Sequence, residues 1–469
     1  MRYILVLCII IKSSDYLFSQ LVLNKGEVID KVYCKEDTLQ SYALYLPSDY
    51  AEDRKWPVIF VFEPAARGPL PVHQYKLVAE ELGYIIISSN NSRNGSWDVA
   101  LSAANAMFTD AASKFKIDSA RIYTSGFSGG SRIAVSLAVI NDEIDGVIGC
   151  GAGLSSVPLY QPQVHHDFVY VGIVGNRDMN YLEHIRLEQL LDDLSIANNR
   201  IVFDGKHQWP PANVLREAVF WLEYQAHERG ERINEKFKSK VLLDRQLFRG
   251  DSLHKKECLV EALNVYEQVI SDFNDDENMQ LIKDRLEVIR NSKELKKAAK
   301  RSKKLLEGEE KLQSEIISAF SEIAQTRLQP SYDSSAKTKL WWVKKIDSLH
   351  ISSKNKNIDK RHSALRSLNL IWAKFAEASF SYENFKDFDM AILLTEIWLH
   401  ADPENIWGLW SMAKLHAKTG NTDKSIDYLW MAYAAGMKYR SSLQAPEFDK
   451  LRTDPRFKEL EAQLEEPKQ

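Results

Sequence analysis

A serine in a short glycine-rich stretch is the first candidate for chemistry in this sequence. The letters GFSGG occupy residues 126–130, with Ser128 at their centre. They follow a predicted strand and open a predicted helix, which is the placement that a nucleophile elbow requires. We therefore predict that Ser128 is a nucleophile and that the backbone N–H of Gly129 binds the oxyanion. The alternative is a solvated serine in a glycine-rich turn.

A serine hydroxyl is too weakly acidic to attack unaided, so a base and an orienting acid must accompany it. Asp178 comes shortly after one predicted strand, residues 167–175, and His207 follows the last one, residues 199–205. Open α/β sheets place their sites at the carboxyl edge, where such residues meet. We predict that Ser128 attacks a carbonyl, His207 transfers the proton, and Asp178 holds the imidazole and stabilises its charge.

Other residues compete for the roles of base and acid. The rival histidines of the same region are His73, His165, His166 and His184. None of them follows the last predicted strand, where this arrangement places its base. Asp204 is the rival acid, but it lies only three residues before His207, and a residue there is better suited to cap or pin the loop.

The elements that must position these residues alternate from Leu21 to about Arg229. Short β-branched runs predict strands at residues 56–64, 83–90, 120–126, 145–153, 167–175 and 199–205. Apolar residues at helical spacing predict helices at 73–83, 99–116, 130–142 and 181–198. The pattern predicts a doubly wound α/β domain with a mostly parallel sheet.

Beyond Gly230 the β-rich runs disappear, and the rest of the chain is predicted to be all-helical. Residues 372–403 align with residues 406–437 at an offset of 34 residues. Small residues coincide where paired helices must approach closely: Ser379 with Ala413, and Ala391 with Ser425. Residues 247–273 hold a weaker earlier unit, and residues 451–464 form a capping helix. A dense charge run at 291–311 favours a solvated helix over a patch for an anionic ligand.

Residues from about Thr38 to Gln225 resemble the α/β-hydrolase superfamily. The letters GKHQWPP at 205–211 resemble the histidine loop of secreted feruloyl-esterase and polyhydroxybutyrate-depolymerase-like esterases. The resemblance implies a serine esterase without metal or organic cofactor. The C-terminal period is similar to that of tetratricopeptide repeats, helical hairpins that stack into a superhelix with a concave face.

One loop departs from the pattern of these esterases. Residues 62–68 read FEPAARG, where many of them have a His-Gly-Gly sequence. Pro64 has no N–H, so the second oxyanion donor must come from Ala65 or Ala66. Candidates for lining the substrate pocket are Arg67, Phe127, Trp209 and the stretch 90–97; the alternative for Arg67 and 90–97 is that they are ordinary surface loops. With no long insertion to form a lid, we expect an open, shallow cleft.

The N-terminus has the layout of a secretory signal. Arg2 precedes an apolar run, residues 3–11, and polar and small residues follow. The run is shorter than the roughly 20 residues that cross a bilayer as a helix. We predict export to the periplasm or the medium; the alternative is a first strand of the folded domain. No later stretch is long and apolar enough for a membrane span.

Composition excludes several classes of partner. With 61 basic and 65 acidic side chains, the chain has no net positive charge that would favour binding to nucleic acid or to an anionic membrane. Four scattered cysteines form no CxxC pair, so no zinc site is indicated. The predicted organisation is a signal at 1–20, a hydrolase domain at 21–229, a helical region at 230–360 with one degenerate repeat, and tetratricopeptide-like repeats with a cap at 361–469.

Three functions fit this sequence. The first is an exported carboxylesterase that forms an acyl-enzyme with a small-molecule or polymer ester, while its repeats bind a protein partner or the substrate. The second is a repeat-based binding scaffold in which the hydrolase fold is idle. The third is a serine peptidase on the same fold, which differs only in the leaving group.

Overall fold

The computed structural model describes residues 24–231, 237, 239–273, 279–326 and 339–466. The predicted export signal at 1–20 lies outside these residues. Within the described ranges, no helix combines the length and the apolar character needed to cross a bilayer.

An eight-stranded sheet forms the centre of the N-terminal part, in the order β1-β2-β4-β3-β5-β6-β7-β8. The strands are β1 Val28–Tyr33, β2 Ser41–Tyr45, β3 Trp56–Phe62, β4 Ile85–Ser89, β5 Ile117–Phe127, β6 Gly146–Cys150, β7 Val169–Gly175 and β8 Asn198–Phe203. Strands β3 to β8 are parallel, and β2 pairs antiparallel with both β1 and β4. This is an α/β-hydrolase-like sheet, so the predicted fold class is confirmed.

Helices cover both faces of the sheet. They are α1 Pro69–Leu82, α2 Trp97–Lys114, α3 Gly129–Ile140, α4 Tyr181–Asp193 and α5 Ala212–Glu228. Helices α1 and α5 share one apolar cluster with the sheet, and α2, α3 and α4 share the other. Successive residues of β3 alternate between the clusters, because side chains along a strand point to opposite faces: Ile59 and Val61 face α1, and Phe60 faces α2.

The rest of the described chain is helical, as predicted. The helices are α6 Ser239–Lys255, α7 Leu259–Asp272, α8 Met279–Asn291, α9 Lys293–Thr326, α10 Lys339–Ser352, α11 Ile358–Asn384, α12 Phe388–Ala401, α13 Ile406–Lys418, α14 Thr422–Ala434 and α15 Pro455–Gln463. Several begin at side-chain caps, which satisfy N–H groups that have no partner in the first turn. Asn357, Asp387 and Asn405 each accept a hydrogen bond from an N–H three residues later.

The residues aligned by the 34-residue offset make the same contact in two helical hairpins. In the α11–α12 hairpin, the Ser379 hydroxyl donates to the carbonyl of Ala391 at 3.1 Å. In the α13–α14 hairpin, the Ser425 hydroxyl donates to the carbonyl of Ala413 at 2.7 Å. Serine and alanine have exchanged helices, but the hydrogen bond between the helices is retained. The two hairpins therefore share a hydrogen bond between their helices at equivalent positions.

The helical region packs directly on the sheet-bearing part. One apolar cluster runs from α5 into α6, α7 and α8. The Trp221 indole of α5 donates to the Asp272 carboxylate at 3.1 Å, and Arg249 of α6 pairs with Glu217 of α5 at 2.7 Å. The two parts of the chain therefore share a continuous core.

Candidate active site

Ser128 occupies a strained turn between β5 and α3. Its backbone has φ 54° and ψ −120°, a conformation that non-glycine residues rarely adopt. A Cβ atom at Gly126 would collide with the carbonyl of Gly130, and one at Gly130 would collide with the carbonyl of Phe62. Both flanking glycines are therefore required by close backbone approaches. Strain of this kind concentrates at functional sites, where surrounding structure holds it in place.

The structure brings Ser128, His207 and Asp178 into one hydrogen-bonded chain. The Ser128 hydroxyl lies 2.9 Å from Nε2 of His207. Nδ1 of His207 lies 3.0 and 2.9 Å from the two carboxylate oxygens of Asp178. With the proton on Nδ1, the ring donates to the carboxylate and accepts from the serine. The Asp178 side chain is 1% exposed and that of His207 is 9% exposed, so little water competes for these contacts.

The loop between β7 and α4 fixes the direction of the Asp178 carboxylate. The Asp178 N–H donates to the carbonyl of Gly175 at 3.0 Å, which closes a tight turn. Oδ1 of Asp178 accepts the N–H of Asn180 at 2.9 Å. The Asn180 side chain in turn donates to the carbonyl of Gly151 at 2.7 Å. This ties the acid loop to the chain that follows β6.

Phe127 and Trp209, two of the residues expected to line the pocket, form an aromatic group with the His207 ring, in which Phe127 is the member that contacts the imidazole. The ring of Phe127 is centred 4.7 Å from that of His207 and 5.6 Å from that of Trp209. Phe127 belongs to the buried cluster that also contains α1 and α5, and Trp209 packs against it. Phe127 therefore packs against the His207 ring, and Trp209 packs on Phe127.

The rival acid and one rival base lie outside the hydrogen-bonded chain. Asp204 is 82% exposed and accepts hydrogen bonds from the side chains of Asn176 and Arg177, both at 3.1 Å. It therefore pins the acid loop to the end of β8. Burial lowers the pKa of His184 to about 4, so this imidazole stays neutral near pH 7.

The N–H groups expected to bind the oxyanion differ in whether they already donate to another acceptor. Gly129 is the first residue of α3, where an N–H has no acceptor within the helix. The N–H of Ala65 instead donates to the Glu63 carboxylate at 2.7 Å, and that of Ala66 donates to the Glu63 carbonyl at 3.1 Å. Both alanine N–H groups already donate to Glu63 in this conformation. Their assignment as the second donor stays a prediction that requires the loop to release one of them.

Arg67 partners the buried Glu63. Its guanidinium and its backbone N–H donate to the carboxylate, with Nε at 3.1 Å from Oε1 and the backbone N at 3.1 Å from Oε2. The Glu63 side chain is fully buried, so this cation offsets the cost of burying the charge. Arg67 therefore holds the loop that follows β3, with its side chain 59% exposed.

A small cavity of about 150 Å³ opens beside Gly129. It is lined by Glu63, Pro64, residues 92–97, Ala100, Gly129, Gly130, Arg132 and Ile133. The predicted stretch 90–97 thus reaches the cavity through most of its length. Arg132, which the sequence analysis did not single out, lines it while paired with Glu183 at 2.6 Å. A long-range ion pair of this kind leaves no local signal in the sequence.

Asn94 is a second residue that sequence reasoning did not single out by itself. Its backbone N–H donates to the carbonyl of Pro64 at 2.8 Å, which ties its loop to the one after β3. The Oδ1 atom of its side-chain amide occupies the space where a Cβ atom of Gly129 would stand, and Nδ2 lies farther away. Asparagine side chains are among the groups that donate to oxyanions in enzymes. The amide therefore lies against the residue predicted to supply the first oxyanion donor.

Comparison with known proteins gives matches among solved structures, and none among family models or curated proteins. One match is a ferulic acid esterase, 16% identical, with 42% of this chain and 95% of that protein covered and a TM-score of 0.34. Another is a substrate-bound, fluorophosphonate-binding serine hydrolase of Staphylococcus aureus, 11% identical, with 42% and 99% covered and a TM-score of 0.35. A third is an S-formylglutathione hydrolase from Staphylococcus aureus, 13% identical, with 43% and 99% covered and a TM-score of 0.34. The activities in these names are those of the matched proteins.

Proposed function

We propose that this chain is an exported serine hydrolase that cleaves a small carboxylic ester through an acyl-enzyme. The observation that carries the proposal is the continuous contact from Asp178 through His207 to the strained Ser128, with distances of 2.9 to 3.0 Å. Nucleophile, base and orienting acid within hydrogen-bond reach are the signature of an activated serine.

Each step of the reaction has a named group. The Ser128 hydroxyl attacks the ester carbonyl while Nε2 of His207 accepts its proton, and Asp178 stabilises the resulting imidazolium. The tetrahedral oxyanion accepts the N–H of Gly129. When the intermediate collapses, His207 gives the proton to the departing alcohol and leaves the acyl group on Ser128. A water molecule, deprotonated by His207, then attacks the acyl-enzyme and releases the acid.

For the second oxyanion donor we propose the side-chain amide of Asn94. This amide lies against Gly129, whereas the N–H groups of Ala65 and Ala66 are engaged by Glu63. Because Oδ1 is the amide atom nearest Gly129, the side chain must rotate to bring Nδ2 toward the oxyanion. The alternative keeps the alanine assignment and requires the loop after β3 to rearrange when substrate binds.

The dimensions of the cavity support a small substrate. Pockets that enclose drug-sized ligands have volumes of roughly 300 to 1,000 Å³. The cavity beside Gly129 holds about 150 Å³, so it fits a short acyl or alcohol group. Polar side chains such as Arg93, Asn94 and Ser96 contribute to its lining. We therefore propose a short, polar ester rather than a long-chain lipid.

For the rest of the chain, we propose a signal at 1–20, a hydrolase domain at 21–229 and tetratricopeptide-like repeats at 361–469 that bind a protein partner or an extended substrate. The equivalent serine–alanine contacts of the two hairpins support the repeat assignment. A binding scaffold with an idle hydrolase fold is the second candidate, because both alanine N–H groups are engaged. A peptidase differs from the first proposal only in its leaving group.

Hydrolysis of activated esters by purified protein tests this proposal. Ser131 supplies a matched control, because it lies in the same turn and its hydroxyl donates to the carbonyl of Ala152 at 2.6 Å, away from His207. We expect Ser128→Ala to lose the activity and Ser131→Ala to keep most of it. An ester and its matched amide, assayed side by side, separate esterase from peptidase. Equal rates for Ser128→Ala and the parent protein would show that the hydrolase fold is idle.

A further inference from the structure

Two side chains of α11 hydrogen-bond to the main chain of the loop that carries Asp178. Nη1 of Arg366 donates to the carbonyl of Asn176 at 2.8 Å. Nδ2 of Asn369 donates to the carbonyl of Arg177 at 2.6 Å. Both carbonyls belong to residues immediately before Asp178. The contacts span 190 and 192 residues of sequence and join the helical region to the acid loop.

The residue after Asp178 is also held by the helical region. Met179 packs against an apolar cluster formed by α9, α10, α11 and α12. The helical region therefore contacts the loop on both sides of Asp178. Side chains of α11 bind the main chain of the two residues before it, and the apolar cluster packs against the side chain of Met179 after it. A displacement of α11 would move the acid relative to the base.

Arg366 is itself fixed by a buried ion pair. Its guanidinium makes two parallel hydrogen bonds to Glu309 of α9, at 2.7 and 2.5 Å, and lies 4.4 Å from the ring centre of Tyr181. The two charged side chains are 7% and 1% exposed. Because both charges must lose water, such a pair adds little net stability. It does fix the direction of the remaining N–H groups, one of which reaches Asn176.

The sheet-bearing part also holds this loop through the main chain, because the N–H groups of Asn176 and Arg177 donate to the carbonyls of Phe203 at 2.8 Å and Gly205 at 3.0 Å. The side chains of Asn176 and Arg177 reach Asp204, whose own side chain is 82% exposed. Ion pairs and hydrogen bonds that face water hold a loop loosely, because water and salt compete for both partners. The contacts from α11 add to these main-chain hydrogen bonds by engaging the carbonyls of the same two residues.

We propose that Arg366 and Asn369 are positioning residues for Asp178, so that full-rate hydrolysis requires α11 to be docked on the acid loop. This inference rests on the proposed function. It makes the helical region part of the support for the triad. A ligand that shifted α11 would change turnover without touching the substrate cleft.

Two variants remove the donors without leaving a buried charge. Arg366→Met combined with Glu309→Met replaces the ion pair by apolar side chains, a change that folded proteins often accept. Asn369→Leu removes the donor to Arg177 and introduces no charge. It also removes the acceptor of the Trp372 indole N–H at 3.0 Å, which belongs to a half-buried side chain. A matched control, Glu383→Met with Lys418→Met, breaks another ion pair of α11 at 2.6 Å, away from the acid loop.

The experiment measures kcat, KM and the pH–rate profile of the full chain, with hydrogen exchange of residues 176–180 alongside. For both variants we expect kcat to fall about 10- to 100-fold at constant KM, because sub-ångström misplacement of catalytic groups has effects of this size. We also expect the acidic limb of the profile to move to lower pH, since a displaced Asp178 stabilises the imidazolium less, and exchange in the loop to rise. Arg366→Lys with Glu309 intact keeps a charged N–H donor, so its kcat should lie between those of the parent and of the Arg366→Met, Glu309→Met variant.

Unchanged kcat and an unchanged profile in the folded variants would overturn the positioning role. An equal loss of kcat in the Glu383→Met, Lys418→Met control would overturn it as well, because the effect would then follow from general destabilisation. If the parent protein itself hydrolyses no ester, the proposed function fails first, and the positioning role fails with it. That outcome is distinct because it appears in the parent, before any variant is compared.

Discussion

The carboxylate of Asp178 lies 2.9 Å from Nδ1 of His207, although 29 residues separate them in the sequence. The two loops that carry them follow the adjacent parallel strands β7 and β8. Because both strands end at the same edge, a short turn after each is enough to bring acid and base together. Asp178 is therefore the acid that the fold brings to His207, whereas the nearby Asp204 contacts Asn176 and Arg177.

Asp178→Asn should lower kcat by about 10⁴-fold, because an amide at this position favours the wrong tautomer of the imidazole and does not stabilise its charge. Steady-state ester hydrolysis measures the effect. Asp204→Asn is the control: its exposed contacts to Asn176 and Arg177 contribute little, and we expect kcat within about threefold of the parent. A larger loss in Asp204→Asn than in Asp178→Asn would exchange the two assignments.

Asn94→Ala tests the second oxyanion donor. Removing one such donor lowers kcat by roughly 10²- to 10³-fold in enzymes of this kind, and we expect a decrease in that range with little change in KM. Single-turnover acylation with an activated ester measures it directly. A rate equal to that of the parent would return the second donor to Ala65 or Ala66 and would require the loop held by Glu63 to rearrange.

The cavity beside Gly129 predicts a preference for short esters. Its volume is about 150 Å³, so we expect it to enclose an acetyl or butyryl group and to leave most of a long chain outside. We expect kcat/KM for p-nitrophenyl esters to fall at least about tenfold between four and ten acyl carbons, since misfitting methylenes in a pocket have effects of this order. Rates that rise steadily with chain length would contradict the small-substrate proposal.

A buried acid between α5 and α7 gives a prediction on stability. Burial raises the pKa of the Asp272 carboxyl to about 6, while its side chain accepts from Trp221 and Gln268. The folded state therefore holds this proton more tightly than the unfolded chain, whose aspartate pKa is about 4. This group's contribution to stability is present below pH 4 and is lost as pH rises to 6.

Asp272→Asn removes this titration while keeping an oxygen that can accept from Trp221. The free energy of unfolding of the variant, minus that of the parent, should rise between pH 4 and 6 by roughly 1 to 3 kcal/mol and then stay level. Urea unfolding at a series of pH values measures the difference. A difference that is constant across this range would mean that Asp272 does not titrate differently on folding.

Much of the fold was predictable because the parallel strands are short, apolar and separated by helical spacing. All six predicted strands are present, as β3 to β8. The antiparallel strands β1 and β2 were not predicted individually. β1 is half exposed and interrupted by a register shift, so its apolar alternation is weak. β2 reads SYALY and has no β-branched residue, which was the signal used for the other strands, and its neighbour β4 lies some forty residues further along the chain.

The candidate triad was accessible from the sequence because each member follows a strand and the topology gathers strand ends. The structure brings the three side chains together, and their catalytic roles stay predictions until activity is measured. Contacts between segments that are far apart in the sequence could not be predicted, because they produce no local sequence pattern. The charge run at 291–311 was expected to be a solvated helix, yet Glu309 within it is buried because it pairs with Arg366, 57 residues away.

The most direct test of the account is covalent labelling of the folded, full-length protein with a fluorophosphonate, followed by mass-spectrometric mapping of the modified peptide. An activated serine attacks this reagent and keeps the phosphonyl group. The account predicts one adduct, on Ser128, that persists in Ser131→Ala and disappears in Ser128→Ala. A folded protein that acquires no adduct, or one modified at another serine, would contradict it.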